Sequence, residues 1–441
     1  PNPKPQTPNP KPHVLGSIGE IGRRYPLRFV KMPMIYKQMQ RVFILSGGRT
    51  PSGLYLGCLS NYQTKTLAGV ALRGWGLRRW GVELLSCCGV ELLRGLYFGC
   101  ALPAGQGPNL GMAAWASSGQ QNSINSVMVA GGENAGLAAI VLAITALQSS
   151  AGQTKDSVSI AGGADSVSTS RHFFRGRNPV SQGDLSLMDP LLHDIFPDPF
   201  NTLSNYKARS PALNAKITVE KQRNFALRSF QNAMEAQRKG VFTRAIEAID
   251  PPNQRPMTTD EQLGAYRLRG ASSERKKPSP AAGETLPSDP PCVAPLADQA
   301  AFIALAGEAV ARKSSNFGVE IADFVEVASG PADPTLAPLA ALEQILNRNG
   351  LSPQGVDFFE IEENFAFLPL IAIEQFGLDR EKVNTLGGSL VFGNALAANG
   401  PRMVLNIVEK LKGKDNALGV VVGYNSAGQS TALLLKSHIL N

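Results

Sequence analysis

The chain has 441 residues, of which 43% are hydrophobic and 18% are charged, so it can bury more than one sizeable core and is not disordered throughout. Its longest apolar run, Ala135 to Leu147, is too short for a membrane-crossing helix, and we expect no membrane span. Five cysteines without a repeated spacing neither staple a secreted scaffold nor frame a zinc site, so we expect no bound metal.

The net charge of +8 is concentrated at the start of the chain, where residues 1–41 carry eight basic residues against Glu20 alone. Prolines alternate with polar residues there, a pattern that favours an extended arm without a core of its own. The arm lacks the aromatic and clustered basic residues of a base-reading surface, so we expect no nucleic-acid binding. Its basic, acid-poor composition is compatible with import into an organelle.

Strands alternate with helices on both sides of a long excursion, which indicates an α/β fold with two halves. The predicted boundaries are a Pro-rich basic arm at 1–41, a first half at 42–169 and an inserted loop subdomain at 170–297. Residues 298–441 then hold the last strand of the first half and all of the second. The predicted strands are 42–46, 126–130, 158–163, 301–305, 324–328, 358–361 and 418–422, and the predicted helices are 135–147, 219–239, 336–348 and 401–411. A direct repeat at 81–85 and 89–93 favours a surface helix or hairpin.

Four turn segments follow strands or open helices, and each alone is weak evidence. They are Gly131-Gly-Glu-Asn-Ala-Gly136, Glu360-Ile-Glu-Glu-Asn-Phe365, Gly387-Gly-Ser-Leu through Ala395, and Gly423-Tyr-Asn-Ser-Ala-Gly428. In this order and at these separations they resemble thiolases, the family that joins or cleaves acyl groups on coenzyme A, with a match from about residue 41 to the carboxyl end. The residues of these motifs are most similar to those of the β-subunit type, the thiolase subunit of the mitochondrial trifunctional enzyme. The resemblance implies two similar α/β halves, each with a mixed five-stranded sheet, plus the inserted subdomain.

The resemblance also implies four catalytic positions, and all four carry other residue types here. Glu133 stands where thiolases have the nucleophilic cysteine at a helix amino terminus, and Asn394 stands where they have the activating histidine. Val422 replaces the second cysteine, which acts as acid and base, and Glu362 replaces the residue that positions the oxyanion-hole water. We therefore predict a degenerate pocket formed by Glu133, Glu362, Asn394 and Val422, with no catalytic residue.

If the four turns converge, two carboxyl groups meet in a buried cleft, and at least one of them should have a raised pKa. The stretch Val293 to Gln299 departs from the family's Ser-rich turn and its Asp-Gly-Ala segment. This departure argues against coenzyme A binding, and we expect a narrowed site without a cofactor.

The loss of all four groups predicts that the chain is not an enzyme. It is expected to be a structural or accessory subunit of a larger, mitochondrial multi-protein complex, with other protein subunits as its partners and a thiolase-type homodimer or heterodimer as its core. Two alternatives stay open. One is a binding module for acyl-coenzyme A or an inactive partner of an active thiolase. The other is an enzyme with altered acyl-coenzyme A chemistry, such as decarboxylation.

Overall fold

A computed structural model describes residues 40–73, 93–120, 124–149, 157–174, 184, 186–195, 217–250, 256–263, 292–329 and 335–440. The basic arm up to residue 39, residues 81–92 of the direct repeat and half of the predicted insert lie outside the described residues. The division of the chain into arm, halves and insert stays a prediction.

The described strands form one mixed sheet and a short side pairing. They are β1 (Val42–Arg49), β2 (Gly53–Leu54), β3 (Leu93–Gly99), β4 (Ser126–Val129), β5 (Val158–Asp165), β6 (Ala297–Gly307), β7 (Phe317–Ala328), β8 (Phe358–Ile361), β9 (Leu418–Tyr424) and β10 (Gln429–Ile439). Every residue of β1, β5 and β6 is buried, because both faces of the sheet are covered at its centre.

The sheet order is β4-β3-β5-β6-β1-β7-β10-β9-β8, with β2 paired to β6 off this path. β3 runs parallel to β4 and β5, and β8 runs parallel to β9, whereas the other pairs are antiparallel. Five strands belong to the first half, and four described strands belong to the second. The two halves of the sheet meet where β1 pairs with β7, over only two residue pairs. This arrangement confirms the predicted mixed α/β architecture.

Helices cover both faces of the sheet. They are α1 (Thr64–Arg73), α2 (Leu110–Ser117), α3 (Ala135–Ser149), α4 (Val219–Arg238), α5 (Glu308–Ser314), α6 (Leu336–Arg348), α7 (Phe367–Phe376), α8 (Ser389–Phe392) and α9 (Asn399–Leu411). No helix in the described part of the chain combines the length and apolar character that a membrane crossing requires.

Helices α3 and α9 form the middle of the molecule. α3 is apolar on almost all sides, as expected for a helix packed on several faces, and nearly all of α9 is buried. Both helices share one hydrophobic cluster with strands from the two halves of the sheet. Gly136 near the start of α3 has no room for a side chain, because a Cβ atom there would meet the carbonyl oxygen of Ala397. The amino-terminal ends of α3 and α9 are therefore pressed together.

Candidate functional site

The four positions predicted to form the pocket lie on four separate turns, and all four are buried. Glu133 is in a 3-10 turn, Gly132–Asn134, directly before α3, and Glu362 follows the last residue of β8. Asn394 lies two residues beyond the end of α8, and Val422 is inside β9. Hydrogen bonds link the turn of Glu362 to the strand of Val422 directly and to the turn of Asn394 through Asn399. That the four positions form a reaction site stays a prediction.

The carboxylate of Glu362 is held by three donors. The amides of Asn364 and Asn399 donate to Oε1 at 3.1 and 2.9 Å, and the backbone N–H of Tyr424 donates to Oε2 at 3.0 Å. The backbone N–H of Glu362 in turn donates to the carbonyl oxygen of Val422 at 3.0 Å. Burial raises the pKa of Glu362 to about 7 despite these donors, and the nearby carboxyl of Glu133 adds to the shift. Glu362 thus ties the ends of β8 and β9 to the start of α9.

The carboxyl of Glu133 is held by fewer contacts. The backbone N–H of Ser426 donates to its Oε2 at 3.0 Å, and the hydroxyl of Ser426 donates to the carbonyl oxygen of Ile195 at 2.6 Å. The backbone N–H of Glu133 itself and the hydroxyl of Ser426 also lie near this carboxyl and lower its pKa. Burial outweighs them and raises the pKa of Glu133 from its ordinary value of 4.5 to about 7. The carboxyl is therefore fixed at Oε2 and can take up a proton near neutral pH.

The amide of Asn394 has a defined orientation. Its Oδ1 accepts hydrogen bonds from the backbone N–H of Leu396 at 3.0 Å and from the amide nitrogen of Asn399 at 2.7 Å. A backbone N–H can only donate, so the atom facing it must be the oxygen. The amide nitrogen of Asn394 faces the other way and has no partner among the described residues. It is a hydrogen-bond donor that a substrate oxygen can use.

Asp165, a residue of the first half of the chain, holds the turn that follows Asn394. The carboxylate of Asp165 accepts from the backbone N–H groups of Ala101, Leu102 and Ala397, and from the thiol of Cys100. Burial raises the pKa of Asp165 to about 6. Asp165 was not predicted as a site residue, although its place at the carboxyl end of a fully buried strand was a signal for one.

Val422, Cys58 and Cys100 supply no exchangeable proton or thiolate to this site. The side chain of Val422 lies in a hydrophobic cluster with α6 and α7. Burial raises the pKa of the Cys100 thiol well above its usual range and that of Cys58 to about 12. A thiolate nucleophile needs a lowered pKa, so neither thiol is activated. Among the described residues no group of three or more His, Cys, Asp or Glu side chains is arranged to hold a metal ion.

Two family models match this chain. "Thiolase, N-terminal domain" matches residues 42–266, and "Thiolase, C-terminal domain" matches residues 316–437. The chain belongs to the thiolase family. This finding confirms the family predicted from the four turn segments.

Several relatives that match about 90% of this chain are named for the same activity, acetyl-CoA acetyltransferase. "Acetyl-CoA acetyltransferase ERG10, cytosolic" of Gibberella zeae is 27% identical over 405 residues, which cover 90% of this chain and 98% of the relative. "Acetyl-CoA acetyltransferase 2" of Arabidopsis thaliana is 28% identical, with 90% and 96% covered. "Acetyl-CoA acetyltransferase erg10A, mitochondrial" of Aspergillus fumigatus is 26% identical, with 91% of each chain covered. The relatives are named for different compartments, so family membership does not fix a location.

A solved structure shares the fold. The Acat5 thiolase of Ascaris suum, described as in complex with coenzyme A, superposes with a TM-score of 0.74 over 90% of this chain and 100% of that chain, at 24% identity. This likeness confirms the predicted thiolase fold.

The prediction that the chain is a non-catalytic structural subunit, and not an enzyme, is wrong. Relatives that match about 90% of it are named as acetyltransferases, and nothing in the family matches indicates a structural subunit. The prediction inferred loss of the reaction from the replacement of all four catalytic groups. Two buried carboxyl groups with pKa values near 7 can still carry protons at neutral pH, and the prediction gave the expected rise in pKa no catalytic role.

Proposed function

We propose that the chain is an enzyme that acts on acyl-coenzyme A thioesters and moves a proton at the carbon beside the thioester carbonyl. The names of its relatives support the substrate class, and the carboxyl of Glu133 supports the chemistry. The observation that carries the proposal is this buried carboxyl, which has a pKa of about 7 and is fixed at Oε2 by the backbone N–H of Ser426. The proposal replaces the expectation that coenzyme A does not bind.

Glu133 is suited to general acid and base catalysis. A group transfers protons best when its pKa lies near the working pH, because both protonation states are then populated. The bond from the backbone N–H of Ser426 fixes one oxygen, which leaves the other in a defined direction. We assign Glu133 the role of the base that removes the proton and the acid that later returns one.

Asn394 is suited to stabilise the charge that develops on the thioester oxygen. Two hydrogen bonds to its oxygen fix the orientation of the amide, so little reorganisation of its nitrogen is needed when the charge appears. A single preorganised donor of this kind typically contributes a factor of about 10² to 10³ in rate. We assign Asn394 the role of the oxyanion donor.

The two roles suffice for a carbon–carbon bond-forming acyl transfer without an acyl-enzyme. Ionised Glu133 takes a proton from carbon 2 of one acyl thioester, and the enolate oxygen accepts the hydrogen bond from Asn394. The enolate carbon attacks the carbonyl carbon of a second thioester, a carbon–carbon bond forms and the carbon–sulfur bond breaks. The departing coenzyme A thiolate takes the proton from Glu133. The carboxylate is thereby restored, and the reverse sequence cleaves a 3-oxoacyl thioester.

Glu362 is assigned a different role from Glu133. Burial raises the pKa of both carboxyls to about 7, so the pKa does not distinguish them. The contacts do, because three donors hold both oxygens of Glu362 and tie it to β9 and α9. We therefore assign Glu362 the role of an anchor of the site.

Deuterium exchange tests the proposal without the need for a second substrate. Acetyl-coenzyme A is incubated with the protein in D₂O, and deuterium at carbon 2 is followed by mass spectrometry. We expect exchange above the buffer rate, its loss in Glu133→Gln and its reduction in Asn394→Ala. Glu235→Gln, a change at an exposed carboxyl on α4, should leave the rate unchanged. Exchange at the buffer rate, or full exchange in Glu133→Gln, contradicts the proposal.

We also propose that the chain pairs with a second copy of itself or of a related thiolase. The outer strand β4 supports this, because among the described residues only β3 pairs with it, and half of the side chain of Val127 is exposed. Light scattering should give twice the mass of one chain, and a monomer at micromolar concentration contradicts the pairing.

A mitochondrial location is proposed as well. The basic, acid-poor residues 1–41 and the relatives named as mitochondrial support it. Imaging of the tagged full-length protein beside a mitochondrial marker tests it, and a signal confined to the cytosol contradicts it.

A further inference from the structure

Side-chain and backbone hydrogen bonds together hold the turn after Asn394. The N–H of Ala395 donates to Oδ1 of Asn399, and the N–H of Leu396 donates to Oδ1 of Asn394, both at 3.0 Å. The backbone N–H of Ala398 donates to the carbonyl oxygen of Ala395 at 3.1 Å. Leu396 has a φ of 50°, a left-handed conformation that a leucine rarely adopts. Such a conformation persists only where the surroundings determine it, and the two side-chain acceptors are part of those surroundings.

Asn399 has one possible orientation. It is the first residue of α9 and is completely buried. Because its Oδ1 accepts from the backbone N–H of Ala395, its amide nitrogen must point to the opposite side. There it donates to Oε1 of Glu362 at 2.9 Å and to Oδ1 of Asn394 at 2.7 Å. The two hydrogens of this nitrogen therefore connect a carboxylate with the proposed oxyanion donor.

Glu362 keeps Asn399 in this orientation. Were the amide of Asn399 to turn over, its oxygen would face the carboxylate, and the backbone N–H of Ala395 would face an NH₂ group. Both contacts would be repulsive, and burial of these groups makes such repulsion costly. The rotated amide of Asn399 would also place an oxygen opposite Oδ1 of Asn394. The amide of Asn394 could relieve this repulsion only by rotating its own nitrogen inward.

We propose that Asn399 and Glu362 are positioning residues: Glu362 holds the amide of Asn399, and Asn399 holds the amide of Asn394 with its nitrogen toward the substrate oxygen. This inference rests on the proposed function for the role of Asn394. It assigns no contact with substrate to Asn399 or Glu362. The chain of contacts is confined to buried atoms and does not involve Glu133.

A pair of double-mutant cycles tests the inference. In the first cycle Asn394→Ala and Asn399→Asp are made singly and together. The aspartate keeps the acceptor for the N–H of Ala395 but replaces the donor to Asn394 with an oxygen. In the second cycle Asn406→Asp takes the place of Asn399→Asp. Asn406 is a matched control because it is also buried on α9 and donates to a buried glutamate, Glu360, at 3.1 Å.

Residues that act as a unit give strongly non-additive effects on the rate. For proton exchange on acetyl-coenzyme A we expect Asn394→Ala and Asn399→Asp each to lower kcat about 100-fold, with KM within about 3-fold, as for loss of one oxyanion donor. The double variant should be no slower than about 3-fold below either single variant. In the second cycle the two effects should multiply. Independent effects of Asn394→Ala and Asn399→Asp, or a wild-type kcat in Asn399→Asp, overturn the inference.

Stability measurements keep this test separate from that of the proposed function. Urea midpoints of the same variants need no turnover, and we expect them to be non-additive in the first cycle and additive in the second. Absence of exchange by the wild-type protein would contradict the proposed function, whereas additive midpoints in the first cycle would contradict the contact between the two amides. If Asn399→Asp does not fold, the neutral Asn399→Ser variant, which donates only one hydrogen bond, is used in the same cycle.

Discussion

Replacing Glu133 with glutamine should stabilise the protein, and increasingly so as the pH rises. The side chain keeps its shape, and glutamine can still accept the hydrogen bond from the backbone N–H of Ser426. What the substitution removes is the cost of ionising a carboxyl inside the fold. Burial raises the pKa of this group from 4.5 to about 7.

The size and sign of the effect follow from that shift. A carboxyl whose pKa is raised in the folded state contributes fully to stability below its unfolded pKa, and this contribution is lost as the pH rises through the folded pKa. The shift from 4.5 to about 7 corresponds to a loss of about 1 kcal/mol at pH 5 and about 3 kcal/mol at pH 8. Glu133→Gln avoids this loss, so its advantage over the wild type should grow by roughly 2 kcal/mol between these pH values.

Urea unfolding at pH 5 and pH 8, followed by tryptophan fluorescence, measures the difference. Glu235→Gln is the control, because its side chain is about half exposed on α4 and pairs with Arg238 and Lys239. It should change the free energy of unfolding by less than about 0.5 kcal/mol at either pH. If Glu133→Gln has the wild-type stability at pH 8, or an advantage independent of pH, Glu133 ionises at its ordinary pKa and its assigned role in proton transfer fails.

Three further substitutions test the contacts that hold the site. Asp165→Asn replaces one of two acceptor oxygens, and urea titration should show a loss of about 2 to 3 kcal/mol, whereas an unchanged midpoint contradicts the bonding described. Arg49→Met leaves the buried Asp260 unpaired and should cost about 3 to 5 kcal/mol by chemical denaturation, with recovery in Arg49→Met/Asp260→Leu. Gly136→Ala places a methyl group against a backbone oxygen, and calorimetry should show a clear drop in Tm from a loss of about 1 to 3 kcal/mol.

The local sequence pattern predicted those helices and strands whose ends are marked by their own flanking residues. The strand Phe358–Ile361 and the helix Leu336–Arg348 have the predicted bounds, because turn residues flank each run. β7 begins at Phe317, seven residues before its predicted start, since Gly318 and Glu320 weaken the strand pattern there. Pairing with β10 over eleven registered positions extends it, and this long-range partner was itself absent from the prediction.

The turns of the site were recognisable in the sequence, whereas the contacts of the side chains were not. The four turn segments and their resemblance to thiolases predicted Glu133, Glu362, Asn394 and Val422 as site positions, which stays a prediction. Two carboxyls in one buried cleft also predicted a raised pKa for at least one of them, as the structure has it. The donors around each group were not predictable, since they come from residues far away in the chain: Ser426 binds Glu133 across 293 positions, and Ala397 binds Asp165 across 232.

The position of β6 has a consequence for how the chain can be divided and how it folds. Residues Ala297–Gly307 lie between β5 and β1, although about 130 residues of sequence separate β6 from β5. A fragment that ends at residue 266, where the first family match ends, would expose the unpaired edges of two apolar strands. During synthesis the first half of the sheet cannot close until residue 307 has left the ribosome. Its core therefore assembles late, through contacts between distant segments, which predicts slow folding and a period of dependence on chaperones.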